Sequence, residues 1–290
     1  MTKINASILS YQNRGKWGNA HYRGNVSGHV IWDLLDTFKP QKFVEVFSGG
    51  GTGKDVAQEL GYANSIHLDL LNGWDALTDE IPETSDFVFS HPPYWDMVDY
   101  SKVRGSDDKD DLSNGMPYPE FIKKLDIVNR KIYGSLTNGG RHAFLVGDVR
   151  KNHQYYSIIK DMTWFGDLED HLIKEQFNTL SGRKTYAGSF IPISHEHLLI
   201  FRKNNLWNLA IKFTKDFRRD LRSLTNVTWL ELIRTAVLSN GGKTQLSDLY
   251  RTLEGCQKAK NNHNWQAKIR QVLQDQAYFK RTRIGVYEVI

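Results

Sequence analysis

The chain has 290 residues, 40% of them hydrophobic, with one cysteine and a net charge of +5. This gives one large domain, or a large and a small one, and excludes a disordered chain; the lone Cys256 excludes an intramolecular disulfide and a Cys-based zinc knuckle, and fits a reducing compartment. The charge is uneven: residues 1–204 hold 23 Lys and Arg against 26 Asp and Glu, and residues 205–290 hold 15 against 7, as expected of a catalytic body with a polyanion-binding appendage.

Residues 1–28 are polar and rich in Gly and Asn, an extended entry segment with no apolar core and cleavage site of a secretion signal. Apolar residues at helical spacing predict a helix over 29–38, closed by Pro40. The apolar run 42–47 reads as a strand that breaks into the turn SGGGTGKD, with a helix over Lys54–Leu60 stopped by Gly61. Residues 65–70 and 85–90 are further strands, the second ending in HPPYW; 119–136 is an amphipathic helix, and 141–149 and 195–203 are late strands. Strands alternating with helices predict a doubly wound parallel sheet of Rossmann type, with ligands at the carboxyl ends of the strands. The basic amphipathic run 207–224 leads into three helices and a terminal hairpin around Arg283–Gly285, a winged helix-turn-helix pattern. The expected division is 1–203 and 204–290. No apolar run approaches the ~18 residues of a membrane span, so no membrane partner is expected.

The turn SGGGTGKD fails the phosphate-loop pattern, because Ser48 replaces its first Gly and Asp55 its hydroxyl residue. What remains is a strand, a glycine turn that lets a ligand approach the backbone, and a helix. Glu45, between apolar neighbours in V-E-V-F, needs a partner, and a bound ammonium group would satisfy it. Asp69, 18 residues after Gly51, stands where an acid binds ribose hydroxyls in Rossmann-like sheets. In Ser90-His91-Pro92-Pro93-Tyr94-Trp95 the prolines stiffen the turn and leave carbonyls free, Tyr94 offers a stacking surface, and a polar residue precedes them. Such a pocket would hold an exocyclic amino group by its two hydrogens.

On FVEVFSGGGTG and SHPPYW, with RGNVSG at 23–28 and PISHEHLLIFRK at 192–203, the chain resembles S-adenosylmethionine-dependent amino-group DNA methyltransferases, over about residues 10–203. The resemblance implies S-adenosylmethionine as cofactor, held by Phe47, Ser48, Gly49 and Gly51, with Glu45 at its amino-acid end, Asp69 at its ribose, and Arg23 and Ser27 at its carboxylate. It implies catalysis by His91, Pro92, Pro93 and Tyr94, with the Pro92 carbonyl presented to the amine and Tyr94 stacked on a flipped base, helped by Trp95 or Tyr118. His91 stands where the family has Asp, Asn or Ser; neutral His accepts a hydrogen bond and protonated His does not, so activity should fall on acidification, with neighbouring Ser90 as a substitute acceptor. Adenine N6 is the favoured target, such enzymes being commoner, and cytosine N4 is the alternative.

Double-stranded DNA is the expected partner, with a cognate restriction enzyme or an orphan bacterial or phage role, in the cytoplasm. The loop 102–119 would close over DNA, and Arg183 and Lys184 would touch phosphate. Lys258, Lys260, Asn264, Gln266 and Lys268 lie around the third helix of the appendage, which would enter the major groove, and Lys280, Arg281 and Arg283 on its wing. No metal is expected. Methylation of RNA or of a protein amide is a second enzymatic reading, and a DNA-binding regulator with a degenerate methyltransferase domain is a reading of another class.

Overall fold

A computed structural model describes residues 4–98, 100, 111–177, 191–212 and 216–290. Residues 102–110 of the loop 102–119, and Arg183 and Lys184, lie outside the described residues. Seven strands form the main sheet: β1 (Ile8–Leu9), β2 (Phe43–Val46), β3 (Ile66–Leu68), β4 (Ser85–Ser90), β5 (Leu136–Val146), β9 (Asp167–Glu175) and β10 (His195–Arg202). Their spatial order is β1-β9-β10-β5-β4-β2-β3. Strands β3, β2, β4 and β5 are parallel, as expected. The sheet as a whole is mixed, which corrects the all-parallel expectation: β10 inserts antiparallel between β5 and β9.

Helices α1 (Gly28–Phe38) and α2 (Thr52–Glu59) cover one face and α3 (Tyr118–Ser135) the other. The two-residue period of the strands sorts the core: Phe87, Phe89, Ala143 and Leu145 pack with Val30, Leu34 and Val56, while Val88, Phe144 and Val146 pack with Phe121, Leu125 and Ile132. Between β5 and β9 lie the small hairpin β6 (Val149–Lys151) and β7 (Gln154–Tyr156), the short helix α4 (Ile158–Asp161) and β8 (Trp164–Phe165).

The basic run after residue 203 forms strands β11 (Asn208–Lys212) and β12 (Asp216–Asp220), and β11 pairs with β8. There follow α5 (Trp229–Ser239), β13 (Lys243–Gln245), α6 (Leu246–Leu253), the short α7 (Gln257–Lys260), α8 (Trp265–Val272), and the hairpin β14 (Phe279–Arg283) and β15 (Val286–Val289), with β13 against β15. A capping box, Thr228 with Glu231, starts α5. Arg130 Nη1 of α3 also donates to both Glu231 carboxylate oxygens, at 2.6 and 2.8 Å. A third core joins Tyr133 and Phe165 to Leu232, Ile233, Leu249, Ile269 and Phe279. Buried Lys203 donates to the carbonyls of Gly134 and Leu136, and burial lowers its pKa to about 7. Cys256 is buried, and its sulfur accepts from the Ala259 amide. Among the described residues no helix is long and apolar enough to cross a membrane.

Candidate functional site

The chain leaves β2 through Phe47, whose φ of 65° lies in the left-handed region that costs a non-glycine residue about 1–3 kcal/mol. Hydrogen bonds hold the glycine turn: the Ser48 amide donates to the Leu68 carbonyl (3.1 Å) and the Gly49 amide to Asp69 Oδ2 (2.8 Å). The other Asp69 oxygen accepts from Leu71 (2.9 Å), so this carboxylate braces the turn while it lines the adjoining cavity. Glu45 already has a partner, and it is not a ligand ammonium: His67 Nδ1 lies 2.6 Å away, directly opposite in the β2–β3 register. Burial raises the Glu45 carboxyl pKa, against the lowering effect of His67.

Residues 19–26 fold over this turn. The Asn19 amide donates to the Gly50 carbonyl (2.8 Å), the Gly18 amide to Asp55 (2.8 Å), and Tyr22 stacks on Tyr100 with ring centres 5.7 Å apart. They border a cavity lined by Glu45, Phe47, Ser48, Gly49 and Asp69, and by Tyr22, Asn25, Trp74 and Tyr100. Gly51, at φ 82°, caps α2 and does not line it. Arg23 is exposed and lines neither this cavity nor its neighbour. Ser27 is buried at the start of α1 and faces the neighbouring cavity, together with Arg14, which the sequence reading missed. Among the described residues, four acidic side chains (Glu45, Asp69, Asp75, Asp111) and no Lys or Arg line the first cavity. Its charge favours a cationic ligand over a phosphate-bearing one.

The second cavity lies beyond the end of β4 and is lined by His91, Pro92, Pro93, Tyr94, Lys174 and Glu196. Both cavities share Gly24, Asn25, His91, Pro93 and Tyr100, so they meet between this turn and residues 24–25. His91 Nε2 lies 2.8 Å from Tyr94 Oη, the Tyr94 hydroxyl donates to Glu196 Oε1 (2.6 Å), and Lys174 donates to Glu196 Oε2 (2.5 Å). Gly147 backs the Tyr94 ring, where a Cβ would stand 2.7 Å from a ring carbon. Glu196 was legible in principle, by the reasoning applied to Glu45: it is an acid inside the apolar strand HEHLLIF.

Three expected helpers are engaged elsewhere. Ser90 is fully buried and bonds His142 Nε2 at 2.6 Å. Trp95 is 7% exposed, donates to the Met116 carbonyl (2.6 Å) and packs on Tyr118 and Tyr156. Tyr118 donates to Asp161 at 2.9 Å. Neither Trp95 nor Tyr118 lines either cavity. Among the described residues no cluster of three or more His, Cys, Asp or Glu could hold a metal.

Burial lowers the pKa of His91 to about 4 and that of His142 to about 3. Both are neutral when folded at pH 5–7 but protonate near 6.5 when unfolded. Their stabilisation is therefore intact above 6.5 and is lost as pH falls towards 4, by up to about 3 kcal/mol each. Urea unfolding at pH 7.5 and 5.0 should show the loss, and His91→Gln should reduce the slope; an unchanged slope would contradict the burial assigned to His91.

In the carboxyl-terminal part, Lys258 and Lys260 lie on α7, Asn264 caps α8, Gln266 and Lys268 lie on α8, and Lys280, Arg281 and Arg283 on β14. Ile269 and Leu273 of α8 are buried in the third core while Gln266 is exposed, so the helix serves packing with one face and leaves the other to solvent. Lys258, Lys260, Lys280, Arg281 and Arg283 form no ion pair among the described residues.

No protein-family model and no curated protein matches the chain. Among solved structures, it is similar to a candidate DNA modification methylase from Thermus thermophilus, with 18% identity over 57% of this chain and 55% of that one, and a TM-score of 0.29. It is similar to TrmN from Thermus thermophilus, with 12% identity over 61% of this chain and 48% of that one, and a TM-score of 0.34. An rRNA methylase from Streptococcus thermophilus shares 13% identity over 60% of this chain and 95% of that one, with a TM-score of 0.30. The chain spans about half the length of the first two.

Proposed function

We propose that this chain is an S-adenosylmethionine-dependent DNA methyltransferase acting on the exocyclic amino group of a flipped base, adenine N6 before cytosine N4. The reading is carried by one observation: a cavity lined, among the described residues, by four acidic side chains and by no Lys or Arg meets a second cavity at His91 and Pro93. The first suits a nucleoside that bears a sulfonium and an ammonium, and the second would take the base. When bound, the cofactor supplies an electrophilic methyl group. Phe47, Gly49 and Asp69 would hold it, and Glu45 would shape its wall through His67 and Gly53. The Pro92 carbonyl and neutral His91 would accept the two amine hydrogens, and Tyr94 would position the base. Ser27 and Arg14, on the second cavity, fit a phosphate flanking the base better than a cofactor carboxylate.

Incubation with tritiated S-adenosylmethionine and duplex DNA, followed by nucleoside mass spectrometry, tests the reading. N6-methyladenine is the expected product, N4-methylcytosine would redirect the target, and no transfer to any DNA would overturn the reading.

In this proposal the carboxyl-terminal helices and hairpin are a winged helix that anchors the duplex, α8 in the major groove and β14–β15 along the backbone. The five cations without ion pairs support it. Replacing Lys280, Arg281 and Arg283 by Gln should lower the slope of log affinity against log salt by about 0.9 for each phosphate that is no longer neutralised. An unchanged slope in fluorescence anisotropy would place the electrostatic anchor elsewhere.

A further inference from the structure

Lys174, Glu196, Tyr94 and His91 form one hydrogen-bonded line. Lys174 on β9 and Glu196 on β10 are register partners, and Tyr94 and His91 follow β4. The ion pair with Lys174 lowers the Glu196 pKa, so Glu196 is a carboxylate and only accepts. The single hydroxyl proton of Tyr94 therefore points to Glu196, and His91 Nε2, bonded to the same hydroxyl oxygen, has to be the donor. A neutral imidazole carries one N–H, which leaves Nδ1 as a bare lone pair. Nδ1 has no hydrogen-bond partner among the described residues, and His91 lines both cavities.

We propose that Glu196, seated by Lys174 and acting through Tyr94, is a positioning residue that fixes His91 in the Nε2–H form, so that Nδ1 receives the proton the substrate amine releases on methylation. The proton step rests on the methyl-transfer reading; the fixed tautomer does not. As the amine lone pair forms the new N–C bond, the bond from methyl carbon to sulfonium sulfur breaks and its electron pair stays on sulfur. The nitrogen, now positive, gives one proton to Nδ1. The imidazolium so formed is stabilised by Glu196 Oε1, 4.0 Å from Nε2, until it returns the proton to solvent.

Glu196→Gln gives a sharp test. Lys174 needs an acceptor, so the amide oxygen should turn to it and the NH₂ to Tyr94. Tyr94 would then donate to His91 Nε2 and push the ring to the Nδ1–H form. Nitrogen NMR of the whole ¹⁵N-histidine-labelled chain, without ligands and with His91 assigned by its loss in His91→Gln, reads the tautomer directly. The wild type should show Nε2–H, Glu196→Gln should show Nδ1–H, and Tyr94→Phe a mixture. Nδ1–H in the wild type, or Nε2–H retained in both variants, would overturn the relay. In turnover, Glu196→Gln should lower kcat about 100-fold or more, with KM for the cofactor within about 3-fold. Absence of wild-type transfer counts against the methyl-transfer reading and the proton step, while an unswitched tautomer counts against the relay.

Discussion

Tyr94→Ala is expected to lower methyl transfer at least 100-fold while the affinity for S-adenosylhomocysteine changes by less than about 3-fold. The asymmetry follows from position, because Tyr94 lines the second cavity and not the carboxylate-lined one. Stacking on an aromatic ring is worth about 1–3 kcal/mol per base, and misplacing the amine adds a further loss. The substitution also removes the hydroxyl that joins His91 to Glu196 and opens a void beside Gly147, at a cost of about 3–5 kcal/mol of stability. Transfer should thus be measured well below the lowered melting temperature, with circular dichroism confirming the fold. A parallel collapse of cofactor affinity would show that the two cavities do not divide the work as proposed.

Gly53→Ala is expected to have the largest effect on cofactor binding. A Cβ at Gly53 would stand 2.2–2.3 Å from all three atoms of the Glu45 carboxylate. That carboxylate is 2% exposed, short, and tied to His67, so it cannot swing aside. Either the Glu45–His67 pair breaks, leaving a buried acid without its partner, or the first turn of α2 lifts and takes the glycine turn with it. The expected cost is about 2–4 kcal/mol of stability and at least a 10-fold loss of S-adenosylhomocysteine affinity. Gly61→Ala is the control: nothing lies within 4 Å of its Cβ position, and its φ of 84° gives only a backbone penalty of about 1–2 kcal/mol. Equilibrium dialysis and urea unfolding compare the two. Equal behaviour would sink the claim that Gly53 is needed for the approach of Glu45.

The parallel half of the sheet and its glycine turn were legible because their signals are local. An apolar run, a break and a helical period occupy neighbouring residues between 42 and 60. What sequence missed depends on strand order. The need of Glu45 for a partner was visible, but His67 becomes that partner only once β3 lies beside β2. Arg23 sits in the motif-like RGNVSG, yet the chain turns so that the Arg14 carbonyl accepts from Gly28, and Arg14 rather than Arg23 lines a cavity. Trp95 looked free to stack because it follows Tyr94. Its backbone, at φ 52°, instead delivers the indole into the core with Tyr118 and Tyr156. Glu196 and Lys174 join the site only because β10 runs antiparallel beside β5, which no local pattern announces.

The core that joins Tyr133 and Phe165 to the helices after residue 228 has a consequence for how the molecule melts. Two bodies sharing apolar contacts, an ion pair and a continuous small sheet cannot come apart without exposing those surfaces to water. Calorimetry should therefore show a single cooperative transition in place of two. A chain cut after Lys203 would carry Tyr133 and Phe165 as bare apolar surface and would aggregate before it reported anything about DNA, so the anchoring surface is better probed by charge substitutions than by removing it.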